Sequence, residues 1–253
     1  IMIAAWDAEE PPSFHDGSMG SLFYVNNPLV PLEQIDTVLN LDPVGADTWQ
    51  GFARHIVSGA EHSPQLRAAV DAAAIPAGLE PRRLGLHMAE EQPTGHLAWS
   101  DHGNFRDVGK PVLWFANGLN KHYHEPSDTI ETLNFTNMSL QAEYLHNIAR
   151  NLAESPEVPT YDAAGNDFIN DAAVAIEALE AAIAPGGLID QINYSSTSRA
   201  KLEADLSEAQ LILADMNDGG VPDQLAIRRL RDGIQHIMCY SGTDYVEALC
   251  NTF

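Results

Sequence analysis

The chain has 253 residues, 45% of them hydrophobic, which is enough for one large core with a small appendage and too apolar for a disordered chain. Thirteen Lys and Arg face 36 Asp and Glu, a formal net charge of −23, and such a surface repels phosphate backbones and anionic lipid, so no nucleic-acid partner is expected. The excess is even: residues 1–154 hold 8 basic and 20 acidic groups and residues 155–253 hold 5 and 16, so it is a property of the whole surface, one that would suit a salty habitat.

Ile1–Trp6 reads as a short buried strand that ends at the acidic cluster Asp7, Glu9 and Glu10. A domain rarely opens on a central strand, so further residues are expected upstream, any export signal among them. Pro11 and Pro12 break the chain into a loop reaching about Gly20, and Met19–Asn26 follows as a short helix. Ile35–Leu41 is a second strand that stops at Asp42-Pro43, and Arg54–Gly59 a third. Pro64–Ala74 has helical spacing at Leu66, Ala69, Val70 and Ala73, and Pro111–Asn117 is the clearest buried strand. Asn134–Ala153 is an amphipathic helix with Met138, Ala142, Leu145, Ala149 and Leu152 on one stripe. Apolar strands alternating with helices predict an α/β core with a sheet between helical layers.

The texture changes at Ser155. A linker-like stretch with two prolines leads into helical patterns alone, with stripes at Ile169, Ala172, Ala173, Ile176 and Ile183, at Leu202, Leu206, Ala209, Leu213 and Met216, and at Ile227, Leu230, Ile234 and Ile237. The chain therefore divides into an α/β part, 1–154, and a helical extension, 155–253, that packs on the core or forms a homodimer interface. His236 reads as a packing or surface histidine. No apolar run approaches the ~18 residues of a membrane span, so none is expected. Cys239 and Cys250 are the only cysteines; they are either bridged or two free thiols, and cysteine-built zinc or thiol chemistry is not expected upstream of them.

The candidate chemistry lies at strand ends. Glu9 and Glu10 follow the first strand, Asp42 the second, and His124 the loop after the last. In open α/β sheets side chains at the carboxyl ends of strands converge on one crevice. Three carboxylates and an imidazole converging there suit Zn²⁺, one glutamate binding metal while its neighbour takes a proton from water. Both can face the crevice only if the chain bends at the pair, since adjacent strand residues point to opposite faces. The bland alternatives are a solvated Glu-Glu pair, a turn at Asp42-Pro43, and an N-cap at Asp128-Thr129 for the helix that follows. Asp128 could also orient a ligand imidazole. Ser100-Asp101-His102 is no serine triad, because three consecutive residues cannot form its geometry and no Gly-x-Ser-x-Gly elbow exists.

The stretch SDHGNFRDVGKPVLWFANGLNKHYHEPSDTIETLNF resembles the signature of the co-catalytic zinc aminopeptidases, with Ser-Asp-His, Gly-x-Pro, an apolar strand and Tyr-His-x-Pro-x-Asp-Thr in order. IMIAAWDAEE, MGSLFYV and TVLNLDPVG resemble its other segments, so the likeness covers roughly residues 1–153. It implies a three-layer α/β/α sandwich with a mixed central sheet, incomplete at its N-terminal side, followed here by the all-helical extension. It implies Glu9 as general base, Glu10 and His124 as ligands of one zinc, Asp42 as a ligand of the second, Tyr123 as hydrogen-bond donor to the tetrahedral oxyanion, and Asp101 as a buried acid near the site. It also implies a His and a metal-bridging Asp ahead of the Glu-Glu strand, positions this sequence does not contain; His15 and Asp16 lie on the wrong side of it. Three of five ligands predict weak or partial zinc binding and little activity for the chain itself. The reaction implied is removal of N-terminal residues from peptides. The alternatives are a glutaminyl cyclase, disfavoured by Tyr123 where that group generally has Trp, and a non-catalytic binding or dimerisation relative, disfavoured because Glu9, Glu10, Asp42 and His124 are all retained. Relatives of this kind are mostly exported, so an extracytoplasmic location is expected.

Overall fold

A computed structural model describes residues 1–10, 12–13, 16–89, 98–191 and 196–242. Four strands form one mixed sheet in the order β1-β4-β2-β3, with β1 Val38–Leu41, β2 Arg54–Ser58, β3 Glu80–Arg83 and β4 Val112–Ala116. β1 runs parallel to β4, β2 antiparallel to β4, and β3 parallel to β2. β4 is buried along its whole length, and its side chains alternate between two helical layers. Val112, Trp114 and Ala116 pack with Tyr24 and Val25 of α1 (Gly20–Asn26) and Phe105 of α4 (His102–Asp107). Leu113 and Phe115 pack with Leu66 and Val70 of α2 (Pro64–Asp71) and Tyr144 and Ile148 of α5 (Phe135–Glu154). The fold is thus the expected α/β/α sandwich with a mixed sheet.

The third cluster belongs to the helical part, α6 (Phe168–Ile183), α7 (Leu188–Gln191), α8 (Ser196–Asn217) and α9 (Gln224–Ser241). Leu179, Leu202, Leu230 and Ile237 pack there with Trp49, Leu84 and Met88 of the α/β part, Met88 lying on the short helix α3 (Leu86–Ala89). The two parts share one apolar core. Ion pairs reinforce the seam: Glu177 of α6 accepts from Arg54 at 2.9 Å and from Arg82 at 2.6 Å, and Asp167 bridges Arg67 and Arg83.

Several expectations need correction. Ile1–Trp6 is no strand: it pairs with none among the described residues, and Ile1 and Ile3 lie almost fully exposed. A strand exists through its ladder, and here the contacts are those of side chains, Trp6 against Tyr24 and Phe105 and the Met2 sulfur against the Tyr24 hydroxyl. β3 was not foreseen, because Pro81, Arg82 and Arg83 carry no apolar signal; it is an edge strand whose arginines face the acids of α6. The buried face of α5 is Asn137, Gln141, Tyr144 and Ile148, while Ala142 of the expected stripe is exposed. On α6 the buried residues are Ala172, Val174, Ala175, Leu179 and Ala182, with Ile169 exposed, because α8 and α9 cover it from two sides. By length and composition Phe168–Gln191 could cross a membrane, with mean hydropathy 1.6, but Ala172, Ala175, Leu179, Ala182 and Leu188 of this stretch sit in the shared core. Cys239 is disulfide-bonded, and Cys250 lies outside the described residues. Pro11 and His15 lie outside them too.

Candidate active site

The parallel pairing of β1 with β4 brings two chain ends to one rim of the sheet. Leu41 stands opposite Phe115, and the next amide, Asp42, donates to the Phe115 carbonyl at 2.9 Å. Beyond the strands Asn117 holds the two loops together. Its Oδ1 accepts from the Gly45 amide and from Gln141 Nε2, each at 3.0 Å, and its own amide donates to the Pro43 carbonyl at 2.9 Å. Asp42 is therefore fixed from the β4 side, and the polar positions on the buried face of α5 are explained by this staple.

Glu9 and Glu10 reach the same rim without a strand. The Gly20 amide donates to the Asp7 carbonyl at 2.7 Å, and a Cβ on Gly20 would stand 2.8 Å from the Asp7 nitrogen. Only glycine admits this approach of the N-terminal segment to the start of α1. The bend needed at the glutamates comes at Ala8, whose φ is 58°. His124 has the same φ, and these are the two non-glycine residues with positive φ among the described residues. Left-handed backbone at such residues is unfavourable and tends to occur where a site demands it. His124 Nε2 meets Glu10 Oε1 at 2.8 Å, and its ring stacks on Tyr123 with centroids 3.9 Å apart.

Four carboxylates crowd this place. Burial pushes Glu9 up to about 8, helped by the negative charges of Asp42, Glu10 and Asp101. Burial likewise raises Asp42 and Asp101; Asp42 is raised further by Glu10 and lowered by the Ser100 hydroxyl and by His124. Asp42 and Glu10 thus act on Glu9, and Glu10 and His124 on Asp42, which with the Glu10–His124 contact places the four residues in one neighbourhood.

Beneath the acids lies a buried polar layer that the sequence reading missed apart from Asp101. The Ser100 hydroxyl donates to Asp42 Oδ2 and accepts from Asn40 Nδ2 at 3.0 Å. Ser21 lowers Asp101 through hydrogen bonds, and its hydroxyl accepts from Asn104 Nδ2 at 2.7 Å. The His102 ring stacks on Trp114, centroids 4.6 Å apart, whose indole donates to the Asp42 carbonyl at 2.5 Å. Ser100 thus serves Asp42 and His102 serves Trp114, in keeping with the rejected triad. Asn40 inside an apolar strand was the available signal. Asp128 is exposed and accepts from Thr132 Oγ1 at 3.2 Å. Thr129 is the N-cap residue of the short 3-10 helix Ile130–Thr132, without a side-chain cap bond, so the expected cap holds there by position, whereas the N-cap of α5 is Asn134, whose Oδ1 accepts from the Asn137 amide at 3.0 Å.

Carboxylate oxygens and an imidazole nitrogen are the donors zinc takes, and a cation among these acids would offset their repulsion. Among the described residues, however, no three His, Cys, Asp or Glu side chains stand close enough together to hold an ion; Glu10 and His124 form a touching pair with Asp42 within electrostatic reach. The donor set fits zinc in kind, as an incomplete shell. A family model described as Peptidase family M28 matches residues 1–149, more than half of the chain. No curated protein and no solved structure matches it.

Proposed function

The chain belongs to peptidase family M28, the family of co-catalytic zinc aminopeptidases and related glutaminyl cyclases, and on that premise we propose that it serves zinc-dependent hydrolysis of peptide bonds, removing residues from the N-terminal end of peptides. The observation that carries the proposal is the meeting of Glu10 and His124 at 2.8 Å beside Asp42. Glu10 and His124 would hold one zinc and Asp42 a second. Zinc bound there supplies Lewis acidity toward a carbonyl oxygen and makes water more acidic.

The chain's own groups take the other parts. Glu9, next to the ligand Glu10 and part-buried among the acids, is the proton acceptor for attacking water and the donor to the leaving amine. Tyr123, stacked on His124, is the hydrogen-bond donor to the oxyanion. The excess of carboxylates favours an α-ammonium, which supports the N-terminal specificity.

The test is hydrolysis of leucine p-nitroanilide by the zinc-saturated chain and by Glu9→Gln. The parent is expected to show slow, chelator-sensitive release, and the variant to lose it by ~100-fold or more while binding zinc as before. Release that survives the chelator or the substitution would overturn the assignment. Ammonia release from an N-terminal glutamine peptide would move the reading to the cyclases.

A further inference from the structure

A cavity of about 720 Å³, within the roughly 300–1,000 Å³ of a small-molecule site, is lined in part by the loops that adjoin Asp42 and His124 in sequence. One wall is Ala46–Gln50, in the loop that Asp42 begins; another is Asn120–His122, in the loop that runs into His124; a third is the first turn of α5. The helical part closes it and fixes both loops. Gln191 Oε1 accepts from the Gln50 amide at 3.0 Å and its Nε2 donates to the Gln50 carbonyl at 2.8 Å, while the Ser241 hydroxyl donates to the Leu119 carbonyl at 3.0 Å. None of Glu9, Glu10, Asp42 and His124 is among the described lining, so the cavity is separate from the acids.

Its lining is not acidic like the molecule as a whole, with one ammonium, Lys121, to one carboxylate, Asp47. Lys121 is the one ammonium on the described lining and has no ion pair among the described residues, whereas Lys201 is paired with Asp205 at 3.1 Å. The lining carboxylate, Asp47, is occupied by Asn134 Nδ2 at 3.1 and 3.4 Å. The wall from Asn134 to Thr136 is the start of a 20-residue helix, whose macrodipole is positive at that end. A carboxylate repelled by a surface of net charge −23 meets the Lys121 ammonium here.

We propose that this cavity receives the leaving-group side of a short peptide and that Lys121 holds a carboxylate of that peptide, supplied either by its free C-terminus or by an Asp or Glu side chain. The proposal deepens, and rests on, the peptidase reading. Lys121 then decides specificity, and the helical part shapes the cavity in which it does so.

Binding to the metal-free chain, in chelator, tests this apart from catalysis. Trp49 lies in the wall, so tryptophan emission can follow titration with Leu-Gly-Gly, Leu-Gly-Gly amide and Leu-Gly-Glu amide. The free acid is expected to bind about tenfold more tightly than the neutral amide, about 1.4 kcal/mol; Lys121→Met should abolish the difference and Lys121→Arg keep it. Leu-Gly-Glu amide binding like the free acid identifies a side-chain carboxylate as sufficient, and binding like the neutral amide identifies the C-terminus; both support the proposal. Equal binding of acid and amide, a preference that survives Lys121→Met, or no binding of any of the three overturns it. Failure of the peptidase reading would instead leave this difference intact and show as absent zinc-dependent hydrolysis.

Discussion

His124 Nε2 and Glu10 Oε1 stand 2.8 Å apart across 114 positions of sequence. Neither residue belongs to a helix or strand. Each is delivered by a loop with a left-handed residue, Ala8 before the glutamates and His124 itself. The contact thus depends on the loops being held: one by Gly20 against Asp7, the other by Asn117 and Ser241.

Gly20→Ala tests the first hold. The added Cβ meets backbone at 2.8 and 3.0 Å, so the segment carrying Glu9 and Glu10 must move. Zinc affinity, measured by competition with a chromophoric chelator, is expected to fall about tenfold or more. Unchanged affinity would show that this approach does not position the glutamates.

Ser100→Ala tests the polar layer. It removes the hydroxyl that donates to half-buried Asp42 and accepts from buried Asn40. Denaturant titration should show a loss of about 1–3 kcal/mol, the cost of buried polar groups left short of a partner. A stability equal to the parent's would refute the role given to Ser100.

His55 gives the pH dependence. Its ring is buried against Phe115 and Tyr144, and burial pushes it down to about 4 from 6.5. Between those values the unfolded chain binds more protons than the folded one. Stability held by the neutral ring is therefore complete above pH 6.5 and is lost as the pH falls towards about 4, by up to ~3 kcal/mol. His55→Phe should flatten the fall of the urea midpoint between pH 6.5 and 4.5; parallel profiles for parent and variant would contradict this. His102, pushed down to about 3, contributes in the same direction in both proteins.

The legible parts of the sequence were those whose signal is local. β4 is buried on both faces and reads as an unbroken apolar run, and α2 combines Ser63, Pro64 and a stripe at Leu66, Ala69 and Val70. The illegible parts depend on partners distant in sequence. β3 is specified by arginines that meet Glu177 and Asp167 of α6, and the buried face of α5 includes Gln141 because Asn117 needs a donor there. At the site, Glu9, Glu10, Asp42 and His124 were legible as a pattern. The need for a bend beside the pair was legible too, but neither its place at Ala8 nor the Ser100 bond to Asp42 was, because neither leaves a periodic or compositional trace. Ile1–Trp6 misled for the converse reason: an apolar run is strand-like only where a neighbouring strand pairs with it.

The central claim is that Glu10, Asp42 and His124 serve metal at one place. A crystal of the chain soaked in zinc, with anomalous maps collected above and below the zinc edge, tests it most directly. The account predicts a zinc peak within bonding distance of Glu10 and His124, with Asp42 at its border and a peak that disappears in His124→Ala. A peak that binds elsewhere, or one that persists unchanged in that variant, would contradict it.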